Sequence, residues 1–353
     1  MAEPATPGRI LIISDAWKPQ VNGVVRTLST IGAELRARGH VVEVIGPDRF
    51  RTVPCPSYPE IPLSILPAYR LRRMIASFRP DALHIATEGP LGTTARRWAL
   101  DRGYRFTTSY HTRFPEYIEA RIRLPVSLPY AYLRSFHNAG QATLVATRTL
   151  SDDLRARGFA RLRPWTRGVN LERFHPDAAA GGRLDWGLPR PIFLYVGRIA
   201  IEKNIPAFLD LDLPGSKVVV GGGPLLAPLR ARYPQVLFTG QMAEGDLARA
   251  YASGDVFVFP SVTDTFGLVV LEALACGTPV AAYDVMGPRD ILHGAAGPVG
   301  AVGPDLRAAC LAALAADRAA CRAHAERFSW AQCAEMFRSA LVAMDPARAL
   351  IAA

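Results

Sequence analysis

Five short runs of apolar and β-branched residues punctuate the first half of the chain, and five more punctuate the second. The first series is "RILIIS" (9–14), "HVVEVIG" (40–46), "DALHIA" (81–86), "FTTSY" (106–110) and "ATLVAT" (142–147). The second is "PIFLYVG" (191–197), "KVVVGGG" (217–223), "VLFTG" (236–240), "VFVFP" (256–260) and "PVAAYD" (279–284). Each run has the length of a strand, and stretches with helical spacing, such as "VVRTLSTIGAELRARG" ending on Gly39, separate several of them. Strands that alternate with helices predict parallel sheets of the α/β class. Between the two series, "GVNLERFHPDAAAGGRLDWGLPRP" (168–191) is rich in Gly, Pro and Ala and lacks periodicity, so it reads as a connection. The expectation is two Rossmann-like domains, residues 1–176 and 177–328, then a helix in 329–353 with no strand after it.

A chain of 353 residues suits two such cores, and half of its residues are apolar against a fifth charged, as in a soluble globular protein. The opening "MAEPATPGR" has no apolar core of a signal peptide. The strongest apolar run, Leu268 to Tyr283, is interrupted by Glu272, Gly277 and Pro279 and is not a membrane span. Five cysteines without C-x-x-C spacing support neither a disulfide framework nor a zinc site. The net charge of +10 is uneven: residues 1–176 carry 26 Lys+Arg against 14 Asp+Glu, whereas 177–353 carry 15 against 17. The basic half suits an anionic surface, a phospholipid headgroup layer or nucleic acid, or else scatters Arg over a solvated face.

In open parallel sheets ligands bind beyond the carboxyl ends of the strands, and every candidate motif falls there. In "TDTFGLVVLEALACGTPV" (263–280) a loop feeds a helix expected to start near Phe266 or Gly267 and to stop at Gly277 and Pro279. Leu268, Leu271, Leu274 and Ala275 form its buried stripe. Its first amides, Gly267 to Val269, make an anion site, and Glu272 lies one turn beyond Leu268. Phosphates on the amides and hydroxyls on Glu272 describe a nucleotide with its ribose. "GRIAIEKN" (197–204) offers Arg198 and Lys203 for phosphate, since the chain has only three lysines to spend. The glycines of "VVVGGGP" (218–224) serve a tight turn or a close approach by ligand. Gly23 opens the first helix, where amides can receive a phosphate, although no G-x-G-x-x-G is present. His111 and Arg113 in "TTSYHTRFPEY", Glu88 in "HIATEGPLG" and Asp15 in "IISDAW" all sit at strand ends. Two basic stretches, Arg72, Arg73 and Arg79, then Arg121, Arg123 and Arg134, are interleaved with apolar residues and fit a membrane interface or ordinary packed helices.

Taken in order, "GRIAIEKN", "VVVGGGP", "VLFTG", "YASGDVFVFPS" and "DTFGLVVLEALACGTPVAA" resemble the retaining glycosyltransferases of family 4, over nearly the whole chain. That resemblance implies the GT-B fold: two Rossmann-like domains with a nucleotide-sugar cleft between them and a last helix, Trp330 to Met344, crossing back to the first. It implies that Glu272 is the second acid of an E-x7-E motif and binds the ribose, and that Asp264 stands for the first acid, one methylene short. Amides of Phe266, Gly267, Leu268 and Val269 would meet the sugar and β-phosphate, and Gly240, Gln241 and Met242 would border the base. Arg198 and Lys203 would neutralise the diphosphate, Gly23 would be the loop glycine of the first domain, and His111 would lie near the donor sugar. Asp15, Glu88 and Arg113 are expected on the acceptor side.

The implied reaction is metal-independent hexosyl transfer from a UDP-sugar or GDP-mannose with no bound cofactor. The motifs look most like bacterial lipid glycosyltransferases and α-mannosyltransferases of the family. With the basic half, they favour a glycerolipid acceptor on an anionic membrane, at its cytoplasmic face, and no nucleic acid. A sugar acceptor in cell-surface polysaccharide assembly is the alternative of the same class. A sugar-nucleotide epimerase and a non-catalytic polyanion-binding protein are the rivals from other classes.

Overall fold

The structure is a computed structural model that describes residues 8–20, 22–55, 58–113, 115–116, 127–179 and 183–345, with the side chains of 58–60, 179 and 244 left aside. The chain forms two compact units: one runs to Thr166 and resumes at Trp330, the other is Arg167–Ser329.

The first unit is a six-stranded parallel sheet in the order β2-β1-β5-β6-β7-β8. Its strands are β1 (Arg9–Ile13), β2 (Val41–Ile45), β5 (Ala82–Ile85), β6 (Thr107–Tyr110), β7 (Ala142–Val145) and β8 (Leu162–Pro164). All five apolar runs of the first series became strands. The sequence reading missed β8 and an antiparallel pair, β3 (Thr52–Cys55) with β4 (Tyr58–Ser64). Pro54, Pro59 and Pro62 disguise that pair, because proline is tolerated only where a strand needs no donor. Leu11, Ile13, Ile45 and Ile85 bury against Leu71, Ile75, Trp98 and Phe136 from flanking helices. The last helix, Trp330–Ala340, packs in this same unit. Trp165 Nε1 donates to Cys333 O at 3.2 Å, and Phe337 lies 4.7 Å from the His84 ring.

The second unit has the order β11-β10-β9-β12-β13-β14, again all parallel. These strands are β9 (Ile192–Val196), β10 (Ser216–Val220), β11 (Leu237–Gly240), β12 (Val256–Phe259), β13 (Val280–Tyr283) and β14 (Gly300–Gly303). The winding reverses between β9 and β12, and the crevice at such a reversal is where open α/β sheets take their ligands. β14 escaped the sequence reading because two of its four residues are glycine. The expected boundary at 176 lies too far along the chain. Val169 bridges Ser329, and the Arg322 guanidinium donates to Leu171 O and Phe174 O, so these contacts draw the segment after Thr166 into the second unit.

Candidate active site

The loops that leave β9 and β12 flank the winding reversal, and their side chains meet there. The β9 loop turns at Gly197 into a short helix, Ile201–Lys203, and ends on Asn204 with φ of 53°. The β12 loop is pinned to it: Asn204 Nδ2 donates to Pro260 O at 3.2 Å, and Ser261 Oγ to Glu202 O at 3.3 Å. These bonds set Lys203 Nζ 2.7 and 2.8 Å from the two carboxylate oxygens of Asp264. Arg198 lies on the same loop, 3.7 Å from Glu202, and the buried Tyr195 hydroxyl donates to its carbonyl at 2.8 Å. Burial, with Asp264 and Glu202 adding their negative charge, holds that phenol far above its ordinary range, so it stays a donor.

The helix after this loop is Leu268–Ala275, starting just beyond the expected point because Gly267, at φ of 93°, is its cap. A Cβ on Gly267 would lie 3.1 Å from Phe259 Cζ, and one on Gly287 would lie 2.5 Å from Phe266 O. Both glycines therefore fix how the chain enters the helix, whose first amides have no partners within it. The helix is buried on every side from Val270 to Ala275, and not along a single stripe, because it is enclosed by neighbouring helices and the sheet. Glu272 is only 2% exposed, and its Oε2 accepts a hydrogen bond of 2.9 Å from Tyr251. Of the glycine run, Gly221 and Gly223 serve close approach by the chain itself: Cβ atoms there would lie 1.9 Å from Gly197 O and 2.4 Å from Ile199 O. Ile199 N–H donates to Gly222 O and Leu225 N–H to Ile199 O, which stitches this loop to the one carrying Arg198. Gly240, at φ of 78°, ends β11, and the Gln241 side chain packs against Gly222 with Met242 following.

In the first unit, His111 Nε2 lies 2.8 Å from Ser109 Oγ, and its ring stands edge-on to Trp165. Glu88 Oε1 lies 3.0 Å from His137 Nε2, and His137 Nδ1 lies 2.9 Å from Thr108 Oγ1. Arg113 Nε donates to Glu116 Oε1 at 2.8 Å, and Tyr130 OH to the same oxygen at 2.7 Å. Asp15 is buried at the winding reversal of this sheet and accepts from Leu91 N–H, Gly92 N–H and Thr87 Oγ1. Burial raises its carboxyl above the ordinary range despite those three donors.

Residues 21–173 match the family described as Glycosyltransferase Family 4, and residues 190–317 match Glycosyl transferases group 1. A GDP-mannose-dependent alpha-mannosyltransferase of Mycobacterium tuberculosis is 34% identical over 80% of this chain and 81% of that protein. The chain belongs to glycosyltransferase family 4. A further relative, the alpha-monoglucosyldiacylglycerol synthase of Streptococcus pneumoniae, is 27% identical over 78% of this chain and 71% of its own length. The sucrose-phosphate synthase of Thermosynechococcus elongatus superposes with a TM-score of 0.71 at 23% identity, covering 93% of this chain and 97% of its own. This family 4 member is a glycosyltransferase of the GT-B fold.

Within the family 4 frame, one cluster of the second unit gathers Arg198, Lys203, Asp264 and the helix start at Phe266 to Val269. Two expectations for the first unit meet competing protein contacts. Asp15 caps the helix Pro90–Leu100, so both its oxygens are spent inside the fold. At Gly23, which opens the helix Gly23–Ala37, the amides of Val24 and Val25 already donate to the Asn22 side chain, both at 3.0 Å. Asn22 fits the helix-cap preference but was passed over in the sequence; Ser109, Tyr195 and Tyr251 carry no mark there, because a strand or helix pattern does not say what a hydroxyl touches. Arg72, Arg73 and Arg79 are exposed and Arg134 donates to Arg157 O, whereas Arg121 and Arg123 lie outside the described residues.

Proposed function

We propose that this glycosyltransferase is a retaining hexosyltransferase that moves a sugar from a nucleoside diphosphate sugar to a membrane glycerolipid of the diacylglycerol type. The observation that carries the donor reading is the meeting of Lys203, Arg198, Asp264 and the amides at Gly267 to Val269 at the winding reversal of the second unit. Two cations and a helix start suit a diphosphate, and the buried Glu272, oriented by Tyr251, suits the paired hydroxyls of a ribose. The relative from M. tuberculosis points to GDP-mannose as the first donor to try.

In the reaction the bond from the sugar's anomeric carbon to the diphosphate oxygen breaks as the acceptor oxygen bonds to that carbon on the same face. The departing phosphate oxygen takes the acceptor's proton. Arg198, Lys203 and the helix amides stabilise the negative charge that develops, so no metal is required. His111 serves the transferred sugar, as the family resemblance implies.

The lipid reading is supported by the surface around the helix Ala68–Phe78. Leu66 is 90% exposed and Tyr69 74% exposed, beside exposed Arg70, Arg72 and Arg73. Apolar side chains framed by arginines suit an anionic membrane interface at the cytoplasmic face. Among the described residues no helix is long and apolar enough to cross a membrane. The deciding experiment is product analysis with GDP-mannose, UDP-glucose and UDP-galactose, each offered with diacylglycerol vesicles or with soluble oligosaccharides, with and without EDTA. Glycolipid with the linkage configuration of the donor is expected. Transfer to oligosaccharide alone would turn the reading to polysaccharide assembly, and isomerised nucleotide sugar without transfer would mark an epimerase.

A further inference from the structure

Ser109 is fully buried on β6, and its hydroxyl touches three groups. His111 Nε2 lies at 2.8 Å, His84 Nε2 at 3.1 Å and the carbonyl oxygen of Ala86 at 3.3 Å. A serine hydroxyl has one proton to give and two lone pairs to offer. The carbonyl can only accept, so the hydroxyl's proton belongs to Ala86 O. Both imidazoles must then donate, each from its Nε2–H. His84 obeys the same count. Burial, with His137 beside it, lowers its imidazole to about 3, so it carries a single N–H, and its Nδ1 accepts from Thr107 Oγ1 at 2.8 Å. Every contact in the chain Thr107–His84–Ser109–His111 is satisfied by this one arrangement of protons, and the Trp165 edge 5.6 Å away steadies the His111 ring from its side.

We propose that Ser109 is a positioning residue which, backed by His84, fixes the ring of His111 and holds it as the Nε2–H tautomer. The proposal rests on the reading of His111 as part of the transferase site. A side chain whose tautomer and ring angle are fixed by its neighbours keeps one orientation, where a freely rotating imidazole would sample several. The sequence shows only an alternating "TTSYHT", in which Ser109 and His111 share a face of the strand and His84 arrives from the neighbouring strand β5.

The test uses the full-length chain labelled with ¹⁵N-histidine, His111 being assigned by difference from a His111→Gln variant. A protonated Nε2 and an unprotonated Nδ1 are expected in the wild type, and loss of that fixed tautomer in Ser109→Ala. In parallel, Ser109→Ala should lower kcat by up to about 10-fold, the scale of one lost orienting hydrogen bond. The donor KM should stay within about twofold, and Ser109→Thr, which keeps the hydroxyl, should restore kcat. A wild-type His111 protonated on Nδ1 overturns the proposal, as does a Ser109→Ala enzyme with unchanged kcat. A wild type with the expected tautomer that transfers no sugar supports the tautomer assignment and overturns the transferase reading of the site.

Discussion

Lys203 and Asp264 form a two-pronged ion pair, with Nζ 2.7 Å from one carboxylate oxygen and 2.8 Å from the other. The cation expected to face a diphosphate is thus already neutralised, by the acid expected to face the sugar. On the proposed reading, a diphosphate that approaches Lys203 competes with Asp264 for its charge, although the third N–H of the ammonium is left to meet it. Asp264→Asn removes the competitor, so nucleoside diphosphate should bind more tightly by about 0.5–1 kcal/mol, the scale of a partly exposed ion pair. Sugar transfer should fall in the same variant. Calorimetry with free GDP and UDP measures the first effect, and weaker binding would show that Asp264 aids the diphosphate instead of competing for its cation.

Lys203→Ala should lower kcat more than it raises donor KM, because the charge it meets grows as the diphosphate leaves. Steady-state kinetics separate the two. A pure KM effect would confine Lys203 to holding the ground state.

Glu272→Ala should weaken nucleotide binding by about 1.5–3 kcal/mol, the range for hydrogen bonds to a charged group. Tyr251→Phe, which leaves the carboxylate in place but removes its 2.9 Å anchor, should cost about 1 kcal/mol. Nucleotide affinity that ignores Glu272→Ala in a folded protein would remove the ribose assignment.

Much of this arrangement was legible in the sequence, for reasons that differ by element. The central strands β1, β9 and β12 announce themselves because both faces are buried and, past Arg9 at the start of β1, every residue is apolar. The helix Leu268–Ala275 announced its end through Gly277, at φ of 71°, and Pro279. Edge strands such as β8, with Pro164 in its three residues, carry no such pattern, since one flank needs no partner. Glu272 stood out as a charge among apolar neighbours, and Lys203 as one of only three lysines in the chain. Of the groups that orient the site, Tyr251 reaches Glu272 from another helix, and Ser109 holds His111 only with His84 arriving from a neighbouring strand. Their roles exist only once the sheet is folded.

Acid should destabilise the first unit through His84. Burial chiefly, and His137 next, lower its imidazole from the ordinary 6.5 to about 3, so between those values the unfolded chain binds a proton that the folded chain refuses. The stability is fully present above pH 6.5 and is lost as pH falls toward 3, with a slope of up to about 1.4 kcal/mol per pH unit. Urea unfolding across that window should show a steeper acid loss in the wild type than in His84→Asn, even if the variant is less stable at neutral pH. Parallel pH curves for the two proteins would assign the acid loss to other groups.

The surface near the helix Ala68–Phe78 should bring the protein down with anionic vesicles at low salt, and high salt should release it. Reversing Arg72 and Arg73 to Glu removes attraction worth about 1 kcal/mol for each arginine near the lipid. Leu66→Ser should weaken binding without loss of fold, because that side chain is 90% exposed. Nucleotide affinity should not change in either variant. Equal sedimentation with neutral and anionic vesicles would sink the electrostatic account.

The chain leaves the first unit at Thr166 and returns to it at Trp330, and Val169 pairs with Ser329 where the two crossings occur. The second unit is therefore an insertion with its own two ends tied side by side, like a purse drawn closed at the neck. A segment whose termini already meet can be cut out, or reconnected and opened elsewhere, without stretching its backbone. Residues 167–329 thus outline a portable module, carrying Arg198, Lys203, Asp264 and Glu272 together, that could be exchanged between family members as one piece.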